Sequence, residues 1–131
     1  MILDIYENTL SSQFCNHCIW KFERDSRKDQ GLIGGGEVRT DIKDSFDLSL
    51  SSWPDWQNED KIFYNTLKQY TEQHTEKYPL PSQNFESYFD TGYQIQRTKP
   101  ESIGYTWHHD FVVTREDTGS IAVRVLTYIW Y

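Results

Sequence analysis

The sequence predicts an α+β domain, with helices first and strands after. Three observations point there. Apolar residues recur at helical spacing in two stretches before residue 80, alternation takes over from Ser87, and the last eleven residues are β-branched, aromatic and almost wholly apolar.

Taken in order, the first helix is expected after Thr9-Leu10-Ser11-Ser12, which reads as a start signal. Phe14, Cys18 and Phe22 follow at i, i+4 and i+8 with Cys15 and Ile19 beside them, giving an amphipathic helix of about four turns. The charged run Glu23–Lys28 ends it. Gly31 and Gly34-Gly35-Gly36 then mark a flexible turn, which lacks the lysine and Ser/Thr of a phosphate loop. Glu37–Ile42 alternates weakly, as an edge strand does, and Ser51–Asp55 reads as a turn or loop. A second helix carries Ile62, Phe63, Leu67, Tyr70 and His74, with Asn58 as its cap. It should stop before Tyr78-Pro79, because proline disfavours helical geometry in the residue ahead of it.

Strands are expected over Ser87–Thr98 and, after the turn Lys99–Ser102, over a short stretch around Trp107–Val113. Arg115–Gly119 is a polar turn. Ile121–Tyr131 fits a strand buried on both faces. The expected organisation is a single partial domain over residues 1–131, with a helical flank over 1–80 and the strands over 81–131. A natural terminus normally lies among polar surface residues, so an apolar run reaching Tyr131 creates the expectation of a truncated polypeptide.

The net charge of −7 argues against nucleic acid, whose phosphates need a basic surface, and against an anionic membrane. No apolar run is long enough to span a bilayer and no export leader is visible, so a soluble, cytoplasmic protein is expected. Cys15 and Cys18 are too few for a disulfide framework. Cys15-Asn16-His17-Cys18 has no second pair of zinc ligands, which leaves the two thiols as core residues.

The chemistry-bearing stretch is Gly104–Phe111, GYTWHHDF. On a strand, residues i and i+2 share a face, so His108 lies beside Asp110 while His109 points away. An imidazole nitrogen and a carboxylate oxygen so placed can both approach a divalent ion at roughly 2 Å. His108 and Asp110 are therefore the candidate metal ligands. The tripeptide alone favours the plainer reading, an exposed strand carrying an incidental His and Asp.

The surroundings add to this. Tyr93-Gln94-Ile95-Gln96-Arg97-Thr98 precedes the motif and Arg124-Val125-Leu126-Thr127-Tyr128-Ile129-Trp130-Tyr131 follows it. These blocks, over about residues 85 to 131, resemble the Fe(II)/2-oxoglutarate-dependent oxygenases, and most closely the prolyl 4-hydroxylase-like branch with its bacterial and phage members. That family shows G-Y-x-x-H-x-D, then R-x-x-T-x-x-x-Y. The resemblance implies a double-stranded β-helix (jelly-roll or cupin-like) holding Fe(II) in a two-histidine, one-carboxylate triad. It further implies 2-oxoglutarate as cosubstrate, ascorbate as an optional reductant, and hydroxylation of a C–H bond in peptidyl proline, an amino acid or another small molecule. Halogenating relatives lack the carboxylate, so Asp110 favours hydroxylation.

By the same resemblance, His108 and Asp110 are two of the three ligands. The distal histidine and the basic residue that clamps 2-oxoglutarate lie further on in the family than Tyr131, so the isolated chain is expected to be inactive. His17 and His74 precede the motif and fall in predicted helices. Tyr131 matches the tyrosine that contacts the 2-oxoglutarate carboxylate, and Thr127, on the same face of an extended strand, joins it as a pocket residue. A core aromatic is the competing role for Tyr131. Arg124 falls on the opposite face, where an ion pair suffices to explain it, and Tyr105 packs beside the site. Thr98 departs from the tyrosine that many relatives carry there. The alternative reading of the whole chain is a non-catalytic β-sandwich binding or structural module with a degenerate His-x-Asp.

Overall fold

Among the described residues two helices pack with a three-stranded antiparallel sheet, and a separate two-stranded antiparallel sheet follows. This computed structural model describes residues 3–80, 89–115 and 121–131. Helix α1 runs Ser12–Arg24 and starts where the side chain of Ser11 accepts a hydrogen bond from the Phe14 amide. Its inward stripe is Cys18 and Phe22, with Phe14 half-buried, whereas Ile19 is exposed. The apolar face is thus narrower than the spacing suggests, because α1 meets its neighbours along one edge only.

Strands β1 (Asp29–Gln30), β2 (Phe46–Ser49) and β3 (Gln94–Arg97) form the sheet in that order. Leu48 opposes Ile95 across the β2–β3 ladder and Asp47 opposes Gln96, so one face is apolar and the other polar. Between β1 and β2 the glycines close a tight hairpin: the Gly36 amide donates to Ile33 O at 3.0 Å, and Leu32 bridges Val38. Glu37–Ile42 therefore forms a single bridge rather than an edge strand. Two short 3-10 turns, Leu50–Ser52 and Pro54–Trp56, carry the chain into helix α2, Gln57–Lys77. The helix stops at Tyr78, ahead of Pro79. Asn58 lies inside it, since the preceding 3-10 turn already delivers helical geometry.

The core is Trp56, Phe22, Leu48, Leu50, Cys18 and Phe63. Trp56 is wholly buried, and its indole N–H donates to Asp25 at 2.9 Å, so its one polar atom is satisfied. Phe63 is the hub of an aromatic cluster, with ring centroids 5.2 Å from Phe14, 5.7 Å from Tyr93 and 5.2 Å from Trp130.

The later strands are shorter than expected. β3 begins only at Gln94, and the early part of the expected strand, Ser87 and Tyr88, lies outside the described residues. β4 is Val113–Arg115, and it pairs only with β5, Ile121–Val123. The apolar run therefore leaves the ladder after Val123, apart from one further bond from the Arg124 amide to Val112 O at 3.0 Å. The reason is partnership: no strand among the described residues lies beside 125–131, and apolar, β-branched composition forms no strand without a ladder. The fold class is α+β, and no helix among the described residues is long and apolar enough to cross a membrane.

Candidate metal centre

Residues 104–106 lie as a rung against residues 42–44. The Asp44 amide donates to Gly104 O at 2.7 Å, the Thr106 amide donates to Ile42 O at 2.9 Å, and Lys43 faces Tyr105 between them. Gly104 takes φ +69°, a left-handed conformation that glycine adopts without penalty. The chain then bends at Trp107 and runs without ladder partners as far as Phe111, so His108 and Asp110 are not carried by a strand as expected.

Their side chains nevertheless meet. Nε2 of His108 lies 3.5 Å from Oδ1 of Asp110. Nδ1 of His108 lies 2.7 Å from the carbonyl oxygen of Thr106. A carbonyl only accepts, so Nδ1 carries the hydrogen and Nε2 of the neutral ring carries a lone pair. In the neutral ring two acceptors then face each other across 3.5 Å, a gap that a cation can bridge. Two donors each roughly 2.1 Å from one ion can be at most about 4.2 Å apart, so the pair is within reach of a divalent metal. A histidine ligand whose other nitrogen donates to a carbonyl is also how proteins fix the tautomer for metal binding.

The walls of the site come from three directions. Tyr105 stacks on His108 with ring centroids 3.6 Å apart and planes 18° apart. Nζ of Lys43 lies 5.2 Å from the centroid of the Tyr105 ring. Arg124 places Nη1 3.9 Å from Asp110 Oδ1 and donates to the Asp110 carbonyl at 3.4 Å. The side chains of His108 and Asp110 are 37% and 40% exposed, open to an incoming ion and to competing water alike.

Lys43 was invisible as a site residue in the sequence. It and Asp47 form a buried ion pair with Nζ 2.5 Å from Oδ2, completed by Ser45 Oγ at 2.7 Å and the Gln94 amide at 2.8 Å. Gly31 makes this possible, since a Cβ there would collide with Ser45, Lys43 and Asp47. A Lys and an Asp at i, i+4 ordinarily signal a solvated face, and only the tertiary rung against Tyr105 says otherwise.

The remaining candidates are placed apart. His17 pairs with Glu59 at 2.6 Å and His74 with Asp4 at 2.8 Å, so both helical histidines have carboxylate partners of their own. His109 is exposed and makes no hydrogen bond or ion pair among the described residues. Thr127 and Tyr131 share the outward side of residues 125–131 with Val125 and Ile129, all four exposed. The other side faces α2, where Trp130 packs on Phe63 and the Tyr128 hydroxyl accepts from Thr71 at 3.1 Å. No hydrogen bond among the described residues joins Thr127 or Tyr131 to His108 or Asp110. No group of three or more His, Cys, Asp or Glu side chains able to hold a metal occurs among the described residues. The donor set among the described residues thus fits two ligands of a triad and does not include the third.

Two clefts of about 400 Å³ each lie elsewhere, one beside Trp20, Arg24 and Asp55 and one along the polar face of the sheet at Arg27, Lys43 and Gln94. Neither is lined by His108 or Asp110. No family model matches the chain, and no curated protein or solved structure matches it either.

Proposed function

We propose that this chain contributes His108 and Asp110 as two of the three iron ligands of a 2-oxoglutarate-dependent hydroxylase of the prolyl 4-hydroxylase-like type. The observation that carries the reading is the opposition of His108 Nε2 and Asp110 Oδ1 at 3.5 Å, with Nδ1 already committed to Thr106 O. Bound iron with 2-oxoglutarate would supply oxidative decarboxylation coupled to hydroxylation of a C–H bond in a peptidyl-proline, amino-acid or small-molecule substrate. The chain's own part is to bind and orient. Asp110 brings negative charge, His108 a fixed lone pair, and Tyr105 a flat wall beside them. Thr127 and Tyr131, on one open face, are proposed to line the 2-oxoglutarate pocket of a double-stranded β-helix, and a cytoplasmic location agrees with that chemistry. With two ligands among the described residues, binding of a divalent ion is expected to be weak.

One observation favours a second reading, a non-catalytic module. Arg124 Nη1 lies 3.9 Å from Asp110 Oδ1, and such a pair needs no metal. Anaerobic titration with ferrous ion, followed calorimetrically, separates the two. Saturable binding that disappears in both His108→Ala and Asp110→Ala supports the iron site. Binding that survives either substitution, or no binding at all, supports the module.

A further inference from the structure

We propose that Tyr105 is the positioning residue of the His108–Asp110 pair, holding the imidazole in the plane and tautomer that leave Nε2 open toward the carboxylate. The inference deepens the iron-site reading and rests on it for its metal-binding arm, though not for its structural arm. An imidazole 37% exposed on an irregular segment has several staggered rotamers available and no packing on its solvent side. Two contacts remove that freedom here: the hydrogen bond from Nδ1 to Thr106 O, and the parallel stack of Tyr105 at 3.6 Å. The hydrogen bond alone fixes one atom and leaves the ring free to swing about it. The stack fixes the plane.

Tyr105 can do this because it is itself held. The rung hydrogen bonds of Asp44 and Thr106 clamp its backbone on both sides, and φ +69° at Gly104 turns the chain into that rung. The Lys43 ammonium, pinned by Asp47 and reaching Leu32 O at 3.4 Å, lies against the Tyr105 ring. A buried ion pair on the sheet is thereby connected through one aromatic ring to the candidate ligand. The Tyr105 hydroxyl makes no hydrogen bond among the described residues, so the ring and not the phenol does the positioning.

The test combines Mn(II) affinity with the tautomer of His108, read from ¹⁵N shifts at a pH where the ring is neutral, in wild type, Tyr105→Phe and Tyr105→Leu. Far-UV circular dichroism checks that the variants fold. Tyr105→Phe should match wild type in both readouts. Tyr105→Leu should bind Mn(II) roughly 2- to 12-fold more weakly, the range that an aromatic pair is worth, and should show a mixture of Nδ1–H and Nε2–H forms. A folded Tyr105→Leu with wild-type affinity and an unmixed Nδ1–H tautomer would overturn the proposal. If wild type binds no Mn(II), the iron reading fails on its own. The positioning role then stands or falls on whether the tautomer changes in Tyr105→Leu.

Discussion

The helical half of the molecule and the stretch from Lys99 to Tyr131 treat their apolar residues in opposite ways. In the first, α1, α2 and the β2–β3 ladder bury Trp56, Phe22, Leu48 and Leu50 almost completely. In the second, Trp107, Phe111, Val113, Ile121, Ile129 and Tyr131 all stand exposed, and among the described residues of that stretch Trp130 alone reaches the core cluster. The difference teaches where stability and chemistry reside. The scaffold is set by the helices and the sheet, while the candidate metal pair sits on an irregular segment that follows the rung of residues 104–106 against residues 42–44.

The largest expected effect tests that division. Trp56→Ala should lower the unfolding free energy by about 3–5 kcal/mol, through lost burial and the cavity left behind. Trp107→Ala, by contrast, should change it by less than about 0.5 kcal/mol, as befits a fully exposed side chain. Urea unfolding of both variants measures the contrast, and equal losses would erase it.

Next in size is Lys43→Met, which strands the Asp47 carboxylate in a buried position. Breaking such a pair should cost about 3 kcal/mol or more, and the double variant Lys43→Met/Asp47→Leu should recover much of that loss. The same unfolding experiment reads it. A single variant as stable as the double one would mean that the pair is solvated.

A smaller effect is expected from acid. Arg27 holds the Asp25 carboxyl well below the usual carboxylate range, helped by the Trp56 indole and opposed by burial. Folding therefore favours the ionised form, so this contribution is fully present above the ordinary carboxylate pKa and is lost as pH falls through the folded value. Stability measured from about pH 6 down to pH 2 should decline less steeply in Asp25→Asn than in wild type. The smallest effect concerns thiols: burial, then the nearby Glu59 charge, pushes Cys18 up to about 11, so an alkylating reagent at pH 8 should leave it unmodified in the folded protein. Rapid native-state labelling of Cys18 would show that the α1 face opens.

Both helices were legible because their signals are local: Ser11 as a cap, Phe22 and Phe63 at helical spacing, Pro79 as a stop. β2 was not, since Phe46-Asp47-Leu48-Ser49 alternates over four residues only and its polar face holds a buried Asp47, paired with a lysine on a neighbouring segment. The run Ile121–Tyr131 shows the opposite failure, for its composition promised a buried strand that extends only to Val123. Strand composition expresses a preference, and a ladder partner decides whether it is realised. At the candidate site, the sequence picked out His108 and Asp110 by strand periodicity, whereas they meet through a bend after the Tyr105 rung. The structure brings the two side chains together by a different route. Tyr105 lies three residues before His108 and was expected beside the site, whereas Lys43 as its support depends on a contact more than fifty residues away in the chain, beyond the reach of any local pattern.

We propose that His108 and Asp110 together hold a divalent ion. Paramagnetic broadening by Mn(II) in a ¹H–¹⁵N spectrum of the full chain tests it most directly. Selective, saturable loss of the signals around Tyr105–Phe111 at substoichiometric Mn(II), abolished in the double variant His108→Ala/Asp110→Ala, is the predicted result. Broadening spread over the acidic surface, or unchanged in the double variant, would contradict it.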